Sequence, residues 1–114
     1  VKLVKLNDTE KFVNSENCFG RNYPLDESTM NLAVIKITGR YPDDNFVVNE
    51  VSKEMCYILS GEGKVVKKGG EILEFEAGDM VFLDKNESYY FNGQCEMAVI
   101  CAPKWAEEQH KEVE

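Results

Sequence analysis

The stretch from Tyr57 to Val81, YILSGEGKVVKKGGEILEFEAGDMV, decides how the rest of this chain is read. Its middle holds two runs of strand-forming residues, Gly63–Lys67 and Glu71–Phe75, on either side of Lys68, Gly69 and Gly70, which is the pattern of a hairpin. Ser60, Gly61, Glu62 and Gly63 carry a turn signal just before it. Outward from there the same texture repeats. Leu32–Thr38 is rich in β-branched residues and ends at Gly39, while Phe46–Val48 follows a turn-like Tyr41–Asn45. Glu54–Leu59, Met80–Leu83, Tyr89–Phe91 and Glu96–Cys101 complete the series. Short strands at this spacing, broken by glycine, predict an all-β sandwich or barrel. The segment from Asn14 to Met30, polar and with one proline, reads as a loop, and the tail Trp105–Glu114 as one or two helical turns.

The 114 residues suit one domain, 1–114, with a barrel frame over about 30–102 and a tail at 103–114. Thirteen basic against 21 acidic residues give a net charge of −8. A nucleic-acid partner would call for a basic stripe. The one basic cluster, Lys64, Lys67 and Lys68, lies at the Gly-Gly hairpin and reads as a solvated tip. Nucleic acid and anionic membranes are therefore excluded as expected partners. No apolar run reaches the length of a membrane span, and Val1–Phe12 lacks the apolar region of a secretory signal. The four cysteines form no CxxC pair, and Cys95 and Cys101, six strand residues apart, stand roughly 20 Å from each other, beyond disulfide reach. Free thiols and a cytoplasmic protein are the expectation.

From Gly39 to Gly93 the spacing resembles the two signature motifs of the cupin superfamily. The first motif runs from a glycine through two histidines to a glutamate and a second glycine, and Glu54 and Gly61 match its last two positions. Its histidine positions fall on Val47 and Asn49, or on Val48 and Glu50. In the second motif Gly78 is kept, Asp84 stands for proline, Asn86 for glycine, Tyr89 for histidine and Gly93 for asparagine. Turn-formers replace turn-formers, so the fold signal survives. The resemblance implies a double-stranded β-helix, the jelly-roll barrel of the RmlC-like cupins. It is nearest to small cupins with a tyrosine pair in the second motif and the closing phrase seen here as Pro103–Lys111. Small cupins commonly form homodimers and exchange amino-terminal strands, a role open to Val1–Leu6.

The resemblance also frames the chemistry. A metal cupin uses three histidines and a glutamate, but this chain has a single histidine, His110, in the tail, where it reads as exposed. Glu54 with Asn49 or Glu50 and Cys56 falls short of the usual ligands for zinc or iron, so no metal and no cofactor are expected. Strand alternation places Glu54, Cys56 and Ile58 on one face, the interior by the cupin frame, and Met55, Tyr57 and Leu59 on the other. A carboxyl among apolar neighbours has its pKa raised and can serve as a general acid or base. It can equally be structural, held by a hydrogen bond or by Lys53 or Lys36. Tyr89 and Phe91 would place a phenol beside an apolar wall, which suits a small organic ligand, although aromatic residues also favour strands for packing alone. The candidate ligand-binding set is Asn49, Glu50, Glu54, Cys56, Tyr89 and Phe91. The sequence thus predicts a small-molecule-binding cupin without a typical metal site, or alternatively a metal-independent (or atypical-metal) enzyme acting on a small sugar or organic acid, such as an isomerase or lyase.

Overall fold

Three glycines from three different strands lie side by side in this protein, Gly39 opposite Gly93 and Gly93 opposite Gly63, and the sheet bends around them. The computed structural model describes residues 1–114. Its strands are β1 (Glu10–Ser15), β2 (Cys18–Tyr23), β3 (Asn31–Tyr41), β4 (Phe46–Asn49), β5 (Lys53–Lys67), β6 (Ile72–Glu76), β7 (Met80–Leu83), β8 (Ser88–Ala102) and β9 (His110–Val113). All pairings are antiparallel. β8 is the spine: β3 and then β4 line one of its edges, and β5 runs along the other from Lys67 to Lys53. β5 in turn carries β6 and β7 on its far edge, β1 and β2 extend the sheet beyond β3, and β9 adds to β4. The result is the curled jelly-roll barrel of the all-β class. Its core holds Ile37, Ile58, Val65, Phe75, Met97 and Val99, contributed by alternate positions of these strands.

Two strands are longer than the sequence texture implies, because their glycines bend the chain instead of ending it. β5 and β8 each run for 15 residues, straight through Gly61 and Gly93. Gly61 follows a register shift between Ile58 and Ser60, at φ +84°, and a Cβ there would lie 2.0 Å from the carbonyl oxygen of Gln94. At Gly93 a Cβ would meet the Glu62 carbonyl oxygen at 2.5 Å and the Gly63 Cα at 2.6 Å. These are corners at which neighbouring backbones touch, so what reads as a turn signal is a barrel bend.

Two further expectations are corrected. Residues 14–30 contain β2, which is zipped to β1 on one edge and β3 on the other; its side chains are mostly half-buried, so no apolar alternation betrays it. The tail forms only a three-residue 3-10 turn, Glu107–Gln109, before it pairs as β9 with the free edge of β4. The Gln109 carboxamide fixes that junction by accepting from the backbone N–H groups of Val51 and Ser52 at 2.9 and 2.7 Å. Edge pairing satisfies backbone groups that a helical turn would leave to water.

On β5 the expected alternation holds, with Glu54, Cys56 and Ile58 buried and Met55, Tyr57 and Leu59 exposed. Met55 stands opposite Phe82 and Ile100, and Tyr57 opposite Met80 and Ala98, so the outer face of β7–β5–β8 is a continuous apolar strip. No helix is long and apolar enough to cross a membrane, and all four cysteines are free and buried.

The glycine corners make a direct prediction. Gly93→Ala forces a side chain into backbone and is expected to cost about 1–3 kcal/mol or more. Gly78→Ala, at φ +94° but with nothing within 4 Å, carries conformational strain alone and serves as the control. In urea unfolding Gly93→Ala should lower the midpoint further than Gly78→Ala. Equal shifts would show that strand contact at Gly93 is not the constraint.

Candidate functional site

The barrel is not packed solid. A cavity of about 630 Å³ opens among β1, β2, β3, β5 and β8, and Glu54, Cys56, Tyr89 and Phe91 all reach its wall. β5 brings the first two and β8 the others, because both strands present alternate residues inward. Tyr41 and His110 add to the polar lining beside Glu54, charged residues of β1 and of the approach to β9 add more, and Ile35, Ile37, Met97 and Val99 give it an apolar floor.

Glu54 sits at the centre of the polar part and is 8% exposed. Its Oε1 accepts a hydrogen bond from the Asn49 amide and another from the Tyr89 hydroxyl at 3.3 Å, and its Oε2 accepts from the Cys101 thiol at 3.2 Å. Burial pushes the Glu54 carboxyl above its ordinary range, against the pull of these donors from Cys101, Tyr89 and Asn49. The same burial raises the Tyr89 phenol, with the nearby Glu54 carboxyl adding to the effect, and raises the Cys56 thiol. Cys56 is thus held as a thiol and is not poised as a nucleophile. Tyr89 also packs edge-on against Phe91, with ring centroids 5.5 Å apart.

Of the other residues singled out by sequence, Asn49 is buried behind the wall and acts through Glu54. Glu50 does not belong to the group. It lies just past the end of β4, is exposed and pairs with Lys111 at 3.1 Å. Lys53 and Lys36 do not hold Glu54, since they stand 4.0 Å from Asp84 and Glu96 on the surface. The expectation of an exposed His110 is overturned. β9 sets it opposite Asn49 in register, its Nδ1 lies 2.8 Å from Asn49 Oδ1, and its Nε2 lies 2.8 Å from the Tyr41 hydroxyl. Desolvation holds its pKa below the usual imidazole value. Tyr41, Cys101 and His110 were missed as site residues. The chain's lone histidine was the available signal.

The metal that this fold commonly holds does not fit these residues. By the cupin frame, Val47 and Asn49 or Val48 and Glu50, with Tyr89, stand at the histidine positions, and both Glu54 oxygens are engaged by N–H, O–H and S–H donors. No group of three or more His, Cys, Asp or Glu side chains is arranged to hold an ion.

Comparison with known proteins agrees with this architecture. The EutQ-like cupin domain family matches residues 45–102. The curated L-ectoine synthase of Oceanobacillus iheyensis is 23% identical over 100 residues, covering 87% of this chain and 78% of that protein. Among solved structures, the nucleoside dehydratase PAC13 of Streptomyces, in a form with uridine, superposes with a TM-score of 0.87 at 19% identity, covering 99% of this chain and 90% of that one. The polyketide cyclase RemF of Streptomyces resistomycificus gives 0.77 at 16% identity, covering 100% and 86%. At these identities the likeness is one of fold.

The buried carboxyl predicts a pH signature. A group whose pKa is raised in the folded state contributes stability that is complete below its unfolded value, here 4.5, and is lost as pH rises through the folded value. Glu54→Gln keeps an oxygen for Asn49 and Tyr89 and has no such loss. The melting temperature of Glu54→Gln minus that of the unsubstituted protein should therefore grow as pH rises from 4 towards 8. Glu54→Ala strands the donors and should cost about 1–3 kcal/mol across that range. A pH-independent difference for Glu54→Gln would show that Glu54 is not perturbed.

Proposed function

This chain belongs to the EutQ-like cupin family, and from that premise we propose that its barrel binds a small hydroxylated organic molecule and exchanges protons with it without a metal. The observation that carries this reading is the convergence of Glu54, Tyr89 and Cys101 on the cavity wall, with Asn49 bonded to Glu54 from behind and Ile35, Ile37, Met97 and Val99 as apolar wall. A volume of about 630 Å³ lies within the usual range of small-molecule sites, and a few convergent polar groups on an apolar wall are their usual composition. A carboxyl kept protonated beyond its ordinary range, beside a phenol, is equipped to deliver a proton to a departing oxygen. Elimination or isomerisation of a sugar, nucleoside or small organic acid is the matching reaction class. The uridine-bound dehydratase supports a ligand of up to nucleoside size, since its barrel superposes over nearly the whole chain.

We further place a second copy of the chain on the apolar strip of Met55, Tyr57, Met80, Phe82 and Ile100. No charged residue interrupts the register of that strip, and a two-fold contact would use it twice. Val1–Lys5 lies outside any strand and is largely exposed, free to reach across such a contact. The buried free thiols support a reducing compartment, the cytoplasm.

Thermal-shift screening against nucleosides including uridine, free sugars and small carboxylic acids tests the binding reading. At least one class should raise the melting temperature, because a ligand of the native state stabilises it by mass action. Tyr89→Phe should abolish that rise while costing the free protein only about 0.5–1.5 kcal/mol, the net worth of one hydrogen bond. No shift from any class at millimolar concentration would reject the proposal. Elemental analysis after growth with added iron, manganese, nickel and zinc should find no stoichiometric metal, and one equivalent bound in the barrel would overturn the metal-independent reading. Light scattering should give twice the chain mass of 13.0 kDa, and a mass near 13.0 kDa would reject the dimer.

A further inference from the structure

We propose that His110, held between Tyr41 and Asn49, is a second proton-exchanging group of this cavity, coupled to Glu54 through the Asn49 amide. The inference rests on the proposed reading of the cavity as a site of proton chemistry. Its basis is the direction of three consecutive hydrogen bonds. The Asn49 amide N–H₂ donates to Glu54 Oε1, which leaves Asn49 Oδ1 facing Nδ1 of His110 at 2.8 Å. An amide oxygen only accepts, so Nδ1 carries the proton. In the neutral ring Nε2 then offers its lone pair, and the Tyr41 hydroxyl, 2.8 Å away, donates to it. Every donor in the chain Tyr41, His110, Asn49 points towards Glu54.

The surroundings hold the ring in that state. Register places His110 opposite Asn49 on β9, the Gln109 side chain anchors the strand to Val51 and Ser52, and the Tyr41 ring lies parallel to the imidazole within 4°. Trp105 covers another side, its centroid 5.7 Å from that of His110. The charged and titratable groups about the ring are Tyr41 on β3, Glu54 on β5 behind Asn49, Lys104 and Glu107 on the approach to β9, and the Lys111–Glu50 pair beside the strand. Burial disfavours the imidazolium at His110 and the carboxylate at Glu54, shifting each towards its neutral form.

The proton step balances. A proton leaving the ligand forms a new O–H bond at Tyr41 as the former Tyr41 proton passes to Nε2, and the electron pair stays on the ligand. Glu54 gives its own proton to the ligand's departing hydroxyl, which leaves as water. His110 is then an imidazolium and Glu54 a carboxylate, one at each end of the Asn49 amide, with no net charge added to the cavity. A proton returned through Tyr41 and water to Glu54 restores the start. Asn49 is the positioning residue in this scheme, because it fixes which ring nitrogen faces Tyr41.

His110 is the protein's one histidine, so nitrogen NMR reads it without assignment ambiguity. Long-range ¹H–¹⁵N correlation on the ligand-free protein should find the proton on Nδ1 at pH 8. The ring should titrate below the ordinary imidazole value. Glu54→Gln should move the midpoint further down, since the imidazolium loses its carboxylate, and Tyr41→Phe should move it up, since the neutral ring loses its donor. Should Glu54→Gln fail to fold, the Glu54 carboxyl ¹³C signal of the unsubstituted protein should respond at the pH where His110 titrates. A proton on Nε2, or no response of either group to the other, overturns the proposal. These measurements need no ligand. A coupled His110 beside a failed metabolite screen would sink only the binding reading, and the reverse result would sink only the relay.

Discussion

The hydrogen bond from Asn49 to Glu54 is the constraint on which the rest of the interior depends. A buried carboxyl, flanked by Leu83 and Cys101 on the neighbouring strands, costs several kcal/mol unless its oxygens are satisfied. Satisfying it requires donors from other strands, and they come from β4 as Asn49 and from β8 as Tyr89 and Cys101. That requirement ties three strands at one point. It also orients Asn49 completely, because an amide that donates at one end must accept at the other. The acceptor end recruits β9, and with it His110 and the ring of Tyr41. One buried carboxyl therefore decides where the last strand docks.

The barrel itself was largely legible in the sequence. β-Branched runs, the Lys68–Gly70 hairpin and the motif positions Glu54, Gly61 and Gly78 identify an all-β chain and resemble the cupins, as the structure and the family match agree. Gly61 and Gly93 misled for a physical reason. The same freedom from a Cβ serves a tight turn and a close strand crossing, and only the partner strand distinguishes them. β2 and β9 escaped because both are stabilised chiefly by backbone pairing, on two edges for β2 and one for β9. Edge and outer strands need little apolar side-chain pattern, so periodicity cannot find them.

The candidate site was legible where strand alternation governs it and illegible where the chain folds back. Glu54, Cys56, Tyr89 and Phe91 lie at inward positions of long strands, and a frame of spacing suffices to group them. Asn49 and Glu50 are neighbours in sequence, and only the end of β4 separates the buried one from the exposed one. His110 is 61 residues from Asn49 and 69 from Tyr41 along the chain. No local pattern carries that distance. The polar Gln109–His110 step does carry chemistry, since one side chain secures the strand and the next enters the cavity.

Having Val and Asn or Glu, with Tyr89, where the cupin frame places three histidines changes the electrostatics of the barrel more than its shape. A metal site balances a fixed positive charge with a carboxylate, whereas this cavity holds a carboxyl and an imidazole that burial drives towards neutrality. An unpaired charge here would cost several kcal/mol, because the floor of Ile35, Ile37 and Met97 offers it no compensation. On the proposed relay, proton uptake at His110 accompanies release at Glu54. The Asn49 bridge gives the resulting pair fixed places to stand, one at each end of the amide. On the proposed reading, the ligand meets Glu54 with a neutral group and carries a hydroxyl that leaves and a proton that is taken in the same step.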